Sequence, residues 1–467
     1  MADAARKSDP SDFAQGSLTR IILHQAVPVM LAQIAQMLYN IVDRIYIGHM
    51  PGTGESALSG VGLVFPIITI IAAFTGLYGT GGAPLFAIAR GAGDDARAKK
   101  ILGNTTALLV GTSFVLMAVG YLFEKPVLIL FGADAHTLPY AVAYTRIYLI
   151  GTAFSMFATG LTPFINAEGF PRTGMITTVL GVVINFALDP VFIFALGLGV
   201  AGAAVATVIS QFAAALWVFR FMTGDKALMK IDRASLRLEG GLVRRIAALG
   251  TSGFIMNCTN ALVQIVYNAT LSAIGGSLYV GIMTVINSIR QMAELPALGL
   301  TSGTSPVIGY NYGAKAYGRV KKSIRIMFAL TFAFSLAIWI FISACPHLLM
   351  AIFTGSARMI AAGQHAVRVY FFGFVFMSFQ YTGQTTFQAL GKPKQAIFFS
   401  LLRKAFIVVP LTVLLPRWLG VYGVFAAEPI SNVVGGLASF TTMMLTVYRK
   451  LPAENRRKTI SSKAKRL

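Results

Sequence analysis

The sequence predicts an all-α integral membrane protein with twelve transmembrane helices, arranged as two six-helix lobes related by a parallel pseudo-two-fold repeat. Three observations support this fold class: the composition is strongly apolar, long apolar stretches recur from end to end, and one segment occurs twice. Of the 467 residues, 56% are hydrophobic and only 12% are charged. This composition excludes an ordinary soluble protein and is typical of helices that cross a bilayer.

Twelve apolar stretches lie between polar breaks, and each has about the 20 residues that a helix needs to cross the bilayer core. We number them spans 1 to 12, at residues 21–48, 57–80, 101–123, 139–164, 172–196, 200–222, 243–272, 279–302, 322–344, 364–390, 394–415 and 420–447. Each half contains six spans. Because six is even, both halves enter the membrane from the same side, and the repeat axis runs along the membrane normal.

The repeat is visible as two landmarks that share one offset of 222 residues. Residues 82–100 reappear as 304–322, with a proline, a Gly-Ala pair and an Arg-x-Lys-Lys ending in register. Residues 167–172 match 389–394 at the same offset. A membrane protein built from two matching halves is typical of a transporter.

The repeat and the charge pattern divide the chain into four parts. Residues 1–222 form the predicted N-lobe with spans 1–6, and residues 243–449 form the C-lobe with spans 7–12. Between them, residues 223–242 form a long inter-lobe loop that is rich in charge and poor in apolar pattern. Residues 450–467 form a basic tail. We expect the loop and the tail to be cytoplasmic.

The net charge of +22 would suggest a nucleic-acid partner if the basic residues formed one patch. They fall instead in the termini and in every second loop, at Arg90, Arg97, Lys99, Lys100, Arg172, Arg220, Lys226, Lys230, Arg233, Arg237, Arg244, Arg245, Lys315, Arg319, Lys321, Lys322, Arg325, Lys392, Lys394, Arg403 and Lys404. This alternation follows the positive-inside rule. It predicts a multi-pass protein of the plasma (inner) membrane with both termini cytoplasmic. The expected partners are small organic substrates and the lipid bilayer, with no nucleic acid, and we expect a monomer.

An intramembrane enzyme would need a nucleophile with a base, or a metal cluster, at membrane depth. The five histidines are scattered near helix ends and in loops, and the glycine cluster at 79–82 lacks the Gly-Lys-Ser/Thr of a phosphate-binding loop. The sequence therefore predicts no enzyme and no cofactor. Transport would then depend on an ion gradient or be passive.

Ionisable side chains inside the spans are costly, so they indicate where an ion gradient could act. In the first half these are Asp43 on span 1 and Asp189 on span 5, with Asn185 one turn away and Thr207 on span 6 at a similar depth. Tyr39, one turn from Asp43, could join them. Two close carboxylates would bind and release a proton, and the same oxygen atoms would suit a metal cation such as Na⁺.

A simpler interpretation makes these residues structural: Asp43 would pair with Arg44, and Asp189 would cap a helix break at Pro190. Adjacent residues on a helix point in different directions, which places the first pair poorly. We therefore expect Tyr39, Asp43, Asn185, Asp189 and Thr207 to form a cation-coupling site for H⁺ or Na⁺.

The second half does not repeat this cluster. Its buried polar candidates lie on spans 7, 8 and 12, and with Gln36 of span 1 they give five candidates for a substrate cavity: Gln36, Asn260, Gln264, Glu294 and Glu428. Glu294 is also spaced to pair with Arg290 along one helix face. Glu428 precedes Pro429, so it could either line the cavity or bond a loosened helix turn.

Several motifs resemble those of the multidrug and toxic compound extrusion (MATE) transporters, over nearly the whole chain. They are Pro28 with residues 39–48, the Asn-Ala-Glu-Gly-Phe-Pro of 166–171, the Asn-Phe-Ala-Leu-Asp-Pro of 185–190, the Gly-Ala-Ala-Val-Ala-Thr of 202–207, and the segment 306–314.

Within that family the chain is similar to the DinF-like branch. The resemblance implies a cation site at Asp43, Asn185, Asp189 and Thr207, and a bend of the first helix at Pro28 when the site changes protonation. A proline inside a helix gives a physical reason for such a hinge. The NorM-like branch uses a glutamate on span 7, where this chain has Asn260.

The resemblance and the residues together predict a secondary active antiporter that exports amphipathic, often cationic organic compounds in exchange for H⁺ or Na⁺ by alternating access. One alternative is a lipid-linked precursor flippase, which would need several basic residues in its cavity. We assign three arginines to the spans, at positions 146, 290 and 368. The other alternative is an uncoupled membrane sensor or channel.

Overall fold

The computed structural model describes residues 13–48, 50, 54–131 and 133–452, with side chains for all of these except 40–45, 48, 54–58, 257, 261 and 277. In this part of the chain every regular element is helical. The all-α prediction is therefore confirmed.

The first half contains six long helices, each at one predicted span. They are α1 (Leu18–Gly48), α2 (Gly54–Gly91), α3 (Asp95–Leu130), α4 (Leu138–Ala167), α5 (Pro171–Pro190) and α6 (Gly199–Thr223). Local sequence sets several of their ends. The Asp94 side chain caps α3 by accepting a hydrogen bond from the N–H of Arg97, and Pro171 begins α5, where its missing N–H costs nothing.

The second half is more interrupted. Its helices are α7 (Gly240–Gly313), α8 (Tyr317–Ala344), α9 (Pro346–Phe353), α10 (Ala357–Phe371), α11 (Met377–Ala389), α12 (Pro393–Leu401), α13 (Val409–Leu414), α14 (Pro416–Leu419) and α15 (Tyr422–Met443). Span 10 corresponds to most of α10 together with α11. Span 11 corresponds to α12 and α13, which are joined by a π-helical segment (Leu402–Val408).

Spans 7 and 8 both fall within α7, which is 74 residues long and loses helical geometry at Gly276. The φ angle of Gly276 is 67°, in the region that favours glycine. Both ends of α7 lie at one end of the bundle, because Glu239 bonds to Asn104 near the start of α3, while Gly313 contacts Ile88 near the end of α2. Spans 7 and 8 therefore run antiparallel.

Eleven segments among the described residues are long and apolar enough to cross a membrane. The second arm of α7, which contains span 8, is a further long helix beside them. A helix is thus present at each of the twelve predicted spans. The two largest of four apolar clusters among the described residues stabilise the bundle, one built mainly from α2–α6 and one mainly from α7, α10, α11 and α15.

The inter-lobe loop is bound to the first half of the chain. The Asn104 side chain donates to the carbonyl oxygens of Ser235 (3.2 Å) and Arg237 (2.9 Å), and its own oxygen accepts from the N–H of Glu239 (2.8 Å). Asp232 pairs with Lys99 at 2.6 Å. The loop therefore covers one end of the bundle, which we call the basic end because the loop and its neighbours carry most of the lysines and arginines.

Glu168 binds the same loop from the end of α4. Its buried carboxylate accepts hydrogen bonds from the N–H groups of Leu228 (3.0 Å) and Met229 (3.3 Å). Burial raises the pKa of this carboxyl to about 7, although the two N–H groups and the nearby Arg90 act in the opposite direction. The loop is therefore anchored by a group that titrates near neutral pH.

The two halves meet at the basic end through glycines that the repeat relates to each other. A Cβ on Gly91 would lie 1.9 Å from the carbonyl oxygen of Tyr310, and a Cβ on Gly313 would lie 2.0 Å from that of Ile88. The offset of 222 converts Gly91 into Gly313 and Ile88 into Tyr310. The contact therefore obeys the predicted pseudo-two-fold symmetry, and only glycine allows the two backbones to approach so closely.

Candidate cation and substrate sites

A small polar cluster lies inside the first lobe, where α1, α5 and α6 meet. Asn185 Nδ2 is 3.2 Å from Asp189 Oδ1 and 3.4 Å from Thr207 Oγ1, and the Tyr39 hydroxyl is 3.4 Å from Thr207 Oγ1. Asn185, Asp189 and Thr207 are each at most 1% exposed. Four of the five residues proposed for cation coupling are thus neighbours in space.

Helix periodicity and small residues bring the cluster together. Asn185 and Asp189 are four residues apart and share one face of α5. Gly202 of α6 lets the end of α5 approach closely, since a Cβ there would lie 2.6 Å from the carbonyl oxygen of Phe192. Directly after Asp189, Pro190 is followed by a π-helical turn (Val191–Ala195), a feature often found at functional sites.

Asp43, the fifth member of the predicted cluster, has a side chain outside the described residues, as does Arg44. Its backbone belongs to α1, which continues through it from Tyr39. The predicted pairing of two carboxylates therefore stays a prediction, and the described geometry rests on Asp189.

The orientation of the Asn185 amide determines what a proton and a metal cation would each require at this cluster. Asn185 presents its N–H₂ group to the Asp189 carboxylate, so the amide oxygen faces away from it. An Na⁺ ion prefers oxygen ligands, and binding here would require the amide to rotate. With that rotation, Asp189, Asn185, Thr207 and Tyr39 would supply four oxygen atoms.

A cavity of about 790 Å³ lies beside this cluster. Helices α1, α2, α4, α5 and α6 form most of its wall, and α7 and α11 complete it through Ser302, Ser305, Pro306, Thr385 and Gln388. The described lining is apolar or neutral, with amide groups at Gln33, Gln36, Asn166, Gln211 and Gln388 and no charged side chain. Such a surface suits an organic molecule that has left most of its water behind.

Tyr39 belongs to both features. It lines the cavity, and its hydroxyl contacts Thr207 in the polar cluster. A change at Asp189 can therefore reach the cavity through two hydrogen-bonded side chains, Asn185 and Thr207.

Of the five residues predicted for the cavity, Gln36 lines it in this structure. Asn260 and Gln264 lie on the first arm of α7, outside the lining, where Gln264 bonds to Asn268 (3.1 Å) and Asn287 (2.7 Å). Glu294, also outside it, pairs with Arg290 at 3.3 Å, as its spacing indicates. The cavity is formed mainly by the first lobe, whereas the prediction distributed it over both.

Glu428 is the fifth of these candidates, and it too lies away from the lining. It is 1% exposed and accepts hydrogen bonds from Lys404 Nζ (2.8 Å), Arg403 Nη1 (3.2 Å) and the Tyr267 hydroxyl (2.9 Å). Arg403 also donates to Asn432 Oδ1 at 2.8 Å. Its carboxylate is therefore the centre of a buried ionic cluster in the second lobe, which we call the C-lobe cluster (Tyr267, Arg403, Lys404, Glu428 and Asn432).

The assignment of Arg403 and Lys404 to a basic loop was wrong. Both are buried, at 6% and 2% exposure, in the π-helical segment within span 11. The sequence contains the signal, because both residues fall within span 11 at 394–415. Two adjacent cations in an apolar stretch require a buried counter-charge, and that requirement points to Glu428.

A third repeat landmark, offset by 221 residues instead of 222, locates the same cluster. Gly199-Val200-Ala201-Gly202 at the start of α6 matches Gly420-Val421-Tyr422-Gly423 before and in α15. Counting onward from each motif, Thr207 corresponds to Glu428. The two lobes thus place different chemistry at one repeated position.

Pro28 lies inside α1, which is a continuous helix in this structure. Around this proline, α1 packs tightly on the second arm of α7: a Cβ on Gly303 would lie 2.5 Å from the Cα of Ala26, and a Cβ on Gly299 would lie 2.5 Å from the Cα of Met30. The predicted hinge therefore lies where the two lobes touch.

Comparison with known proteins now adds the family. The MatE family model matches residues 28–191 and 254–414, which is most of both halves. The chain belongs to the MatE family. It is therefore a multi-pass membrane protein of a transporter family, as the sequence motifs indicated.

Relatives of known name or structure match the MatE chain along almost its entire length. The multidrug export protein MepA of Staphylococcus saprophyticus is 24% identical over 441 residues, covering 93% of this chain and 95% of the relative. A multidrug resistance MATE transporter solved in an outward-facing conformation has a TM-score of 0.89 at 22% identity, covering 96% and 99%. A MATE structure in a bent conformation has a TM-score of 0.88 at 22% identity, covering 95% and 99%. The predicted two-lobe fold class is confirmed.

Proposed function

We propose that this protein is a secondary active multidrug efflux antiporter, which exports amphipathic, often cationic organic compounds in exchange for H⁺ or Na⁺. The observation that carries the proposal is the position of Tyr39. This one side chain lines the neutral cavity and also contacts the buried cluster of Asn185, Asp189 and Thr207. An ion site and a substrate site that share a residue can exclude each other, and exclusion is the basis of antiport.

The size and chemistry of the cavity support an organic substrate. A volume of about 790 Å³ is within the range of drug-sized sites. Its amide and hydroxyl groups can orient different molecules without a fixed ion pair, and Met175 and the aromatic side chains supply adaptable apolar contacts. The name of the related MepA protein, a multidrug export protein, agrees with broad specificity.

The coupling cycle needs one change of charge. When Asp189 is ionised, its negative charge favours a cationic substrate in the adjoining cavity. Binding of H⁺ or Na⁺ removes that charge and alters the hydrogen bonds of Asn185 and Thr207, which weakens substrate binding next to Tyr39. Pro28 is the natural place for α1 to bend in response, since it leaves the helix one hydrogen bond short.

We further propose that the basic end faces the cytoplasm, as the positive-inside rule predicts, and that both termini lie on that side of the plasma (inner) membrane. The paired glycines Gly91 and Gly313 close that end. With this orientation we infer a state open toward the outside, in which the coupling ion would enter, because the closed end is the cytoplasmic one. Rocking of the lobes would separate these glycines and expose the cavity to the cytoplasm.

The flippase alternative is not favoured. A lipid pyrophosphate would require basic side chains in the cavity, and the described lining has none. Arg403 and Lys404 do not change this conclusion, because both are bound to Glu428 away from the cavity.

The test is export of a fluorescent organic cation from proteoliposomes under imposed proton or sodium gradients. We expect Asp189→Asn and Asp43→Asn to abolish gradient-driven export, and the gradient that drives the wild type to identify the ion. Asp225→Asn is the matched control, since Asp225 is exposed on the inter-lobe loop and pairs with Lys230. Unchanged, gradient-driven export in both variants would refute the N-lobe site, and export by the wild type that ignores both gradients would favour an uncoupled channel.

A further inference from the structure

The C-lobe cluster and its neighbours hold more positive charges than negative ones. Arg403 and Lys404 bind one carboxylate, that of Glu428, at 3.2 and 2.8 Å. The neighbouring Arg290 and Glu294 neutralise each other at 3.3 Å. Among the described groups, three cations and two carboxylates thus leave one positive charge inside the second lobe.

An uncompensated charge in this position is costly. Arg403, Lys404 and Glu428 are all less than 7% exposed, and burial of an unpaired ion costs several kcal/mol. Tyrosines surround the site: Tyr267 donates to Glu428, and Tyr370 and Tyr381 lie close enough to interact electrostatically with it. A neutral tyrosine hydroxyl cannot supply the missing negative charge.

Only one of the three cations can remove the excess. Arginine stays protonated in proteins, whereas a buried lysine gives up its proton readily. With Lys404 neutral, the cluster becomes a balanced pair of Arg403 and Glu428. With Lys404 protonated, it carries a net charge of +1.

We propose that Lys404 binds and releases a proton, so that the C-lobe cluster is a second proton-exchange site. This inference rests on the proposed function for its role in transport, and on the geometry alone for the existence of the site. The chemistry is simple proton transfer between the Lys404 amine and water, and no bond other than N–H is formed or broken.

The backbone around Lys404 is suited to such a change. Lys404 lies in the π-helical segment Leu402–Val408, and its carbonyl oxygen accepts from the N–H of Val409. A π-helical segment is a wider turn that is often found at functional sites in membrane helices and elsewhere. The Arg403 carbonyl is bound by Ser431 Oγ of α15 (2.8 Å), which couples the segment to the helix that carries Glu428.

A polar face of α11 connects the cluster to the cavity. Arg403 Nη1 lies 3.2 Å from the sulfur of Met377 at the start of α11. Farther along the same helix face, Gln380 donates to Gln384 at 3.3 Å, and Gln388 lines the cavity. Gln380 Oε1 is buried without a partner among the described atoms, which leaves an acceptor for a water molecule on this path.

Proton counting tests the site without relying on transport. Purified protein in detergent is titrated between pH 6 and pH 9, for the wild type, Lys404→Arg, Lys404→Met and the exposed-loop control Lys226→Arg. Both Lys404 variants should release one proton fewer than the wild type over this interval, while Lys226→Arg should match it. Lys404→Arg keeps a positive charge beside Glu428. If Lys404 had only a structural role, arginine would replace it fully and proton release would not change.

Release of the same number of protons by a correctly folded Lys404→Arg variant and the wild type would overturn the inference. Transport in proteoliposomes then separates the two claims. If the proton difference is present but no gradient drives transport in the wild type, the site exists and the proposed antiport is wrong. If antiport is present and the proton difference is absent, the antiporter stands and the second site does not.

Discussion

The two lobes carry different charges at one matching motif position, which is Thr207 in the N-lobe and Glu428 in the C-lobe. In the N-lobe, Asp189 and Thr207 both contact the neutral amide of Asn185. In the C-lobe, the residue at the matching motif position is Glu428, and two cations hold it. On the proposed function, the N-lobe site would accept a proton or a metal cation, whereas the two cations of the C-lobe site would repel a metal cation and leave only proton exchange.

The comparison predicts a large loss of stability when the C-lobe carboxylate is neutralised and a small change when the N-lobe carboxylate is. Glu428→Gln leaves Arg403 and Lys404 without a counter-charge, so we expect a loss of about 3–5 kcal/mol in the free energy of unfolding. Asp189→Asn removes one negative charge but keeps a polar side chain beside Asn185, so the free energy of unfolding should change by less than about 1 kcal/mol. Chemical unfolding in detergent measures both values. Equal losses in the two variants would remove the distinction between the lobes.

A second prediction concerns the symmetry of the closed end. Gly91→Leu and Gly313→Leu each force a side chain into the opposing backbone, and overpacking of this kind costs roughly 1–3 kcal/mol. Because the repeat relates the two positions, we expect similar shifts toward the form open at the basic end, measured by cysteine accessibility from that side. Gly111→Leu is the control, since a Cβ there meets nothing within 4 Å. A large effect at one position alone would show that the closure is not symmetric.

A third prediction isolates the link between ion and cavity. Tyr39→Phe keeps the aromatic wall of the cavity and removes one hydrogen bond to Thr207, worth about 1 kcal/mol. We expect substrate to bind with nearly unchanged affinity, and the dependence of that affinity on pH or Na⁺ to fall about fivefold. Tyr78→Phe removes a comparable bond to Thr112 and should leave this dependence intact. An unchanged ion dependence in Tyr39→Phe would mean that coupling takes another path.

The smallest expected effect is the pH response of the inter-lobe loop. Burial raises the pKa of Glu168 to about 7, above its ordinary 4.5, so the folded protein binds a proton more tightly than the unfolded chain. This contribution to stability is present below about pH 4.5 and is lost as the pH rises through 7. The protection of the Leu228 and Met229 N–H groups from hydrogen exchange should fall over this interval. Glu168→Gln should flatten the response, and Asp225→Asn should not, because Lys230 keeps the pKa of Asp225 below the interval.

Much of this architecture was readable in the sequence because it depends on length, polarity and repetition. The apolar spans gave the helices, and the shared offset of 222 related Gly91 to Gly313 before either was known to touch the other lobe. The spacing of Asn185 and Asp189 placed them on one face of a helix, and counting residues from helix ends gave Thr207 a similar depth.

The cavity was not readable in the same way. Asn260, Gln264 and Glu294 lie at membrane depth, but the rotation of each helix about its axis is set by packing, and depth alone does not say which face meets the cavity. The C-lobe cluster was missed for a different reason. The charges of Arg403 and Lys404 favour a loop, although their apolar surroundings in the sequence place them inside a span.

The most direct test of the central claim is the affinity of a fluorescent organic cation for the purified protein as a function of pH and of Na⁺, in the wild type and in Asp189→Asn. If ion and substrate exclude each other through Asp189 and Tyr39, lowering the pH or adding Na⁺ should weaken substrate binding in the wild type by at least about tenfold, or 1.4 kcal/mol of coupling free energy. The same change should leave Asp189→Asn almost unaffected. Substrate binding that responds equally to the ion in both proteins would contradict coupling at the N-lobe site.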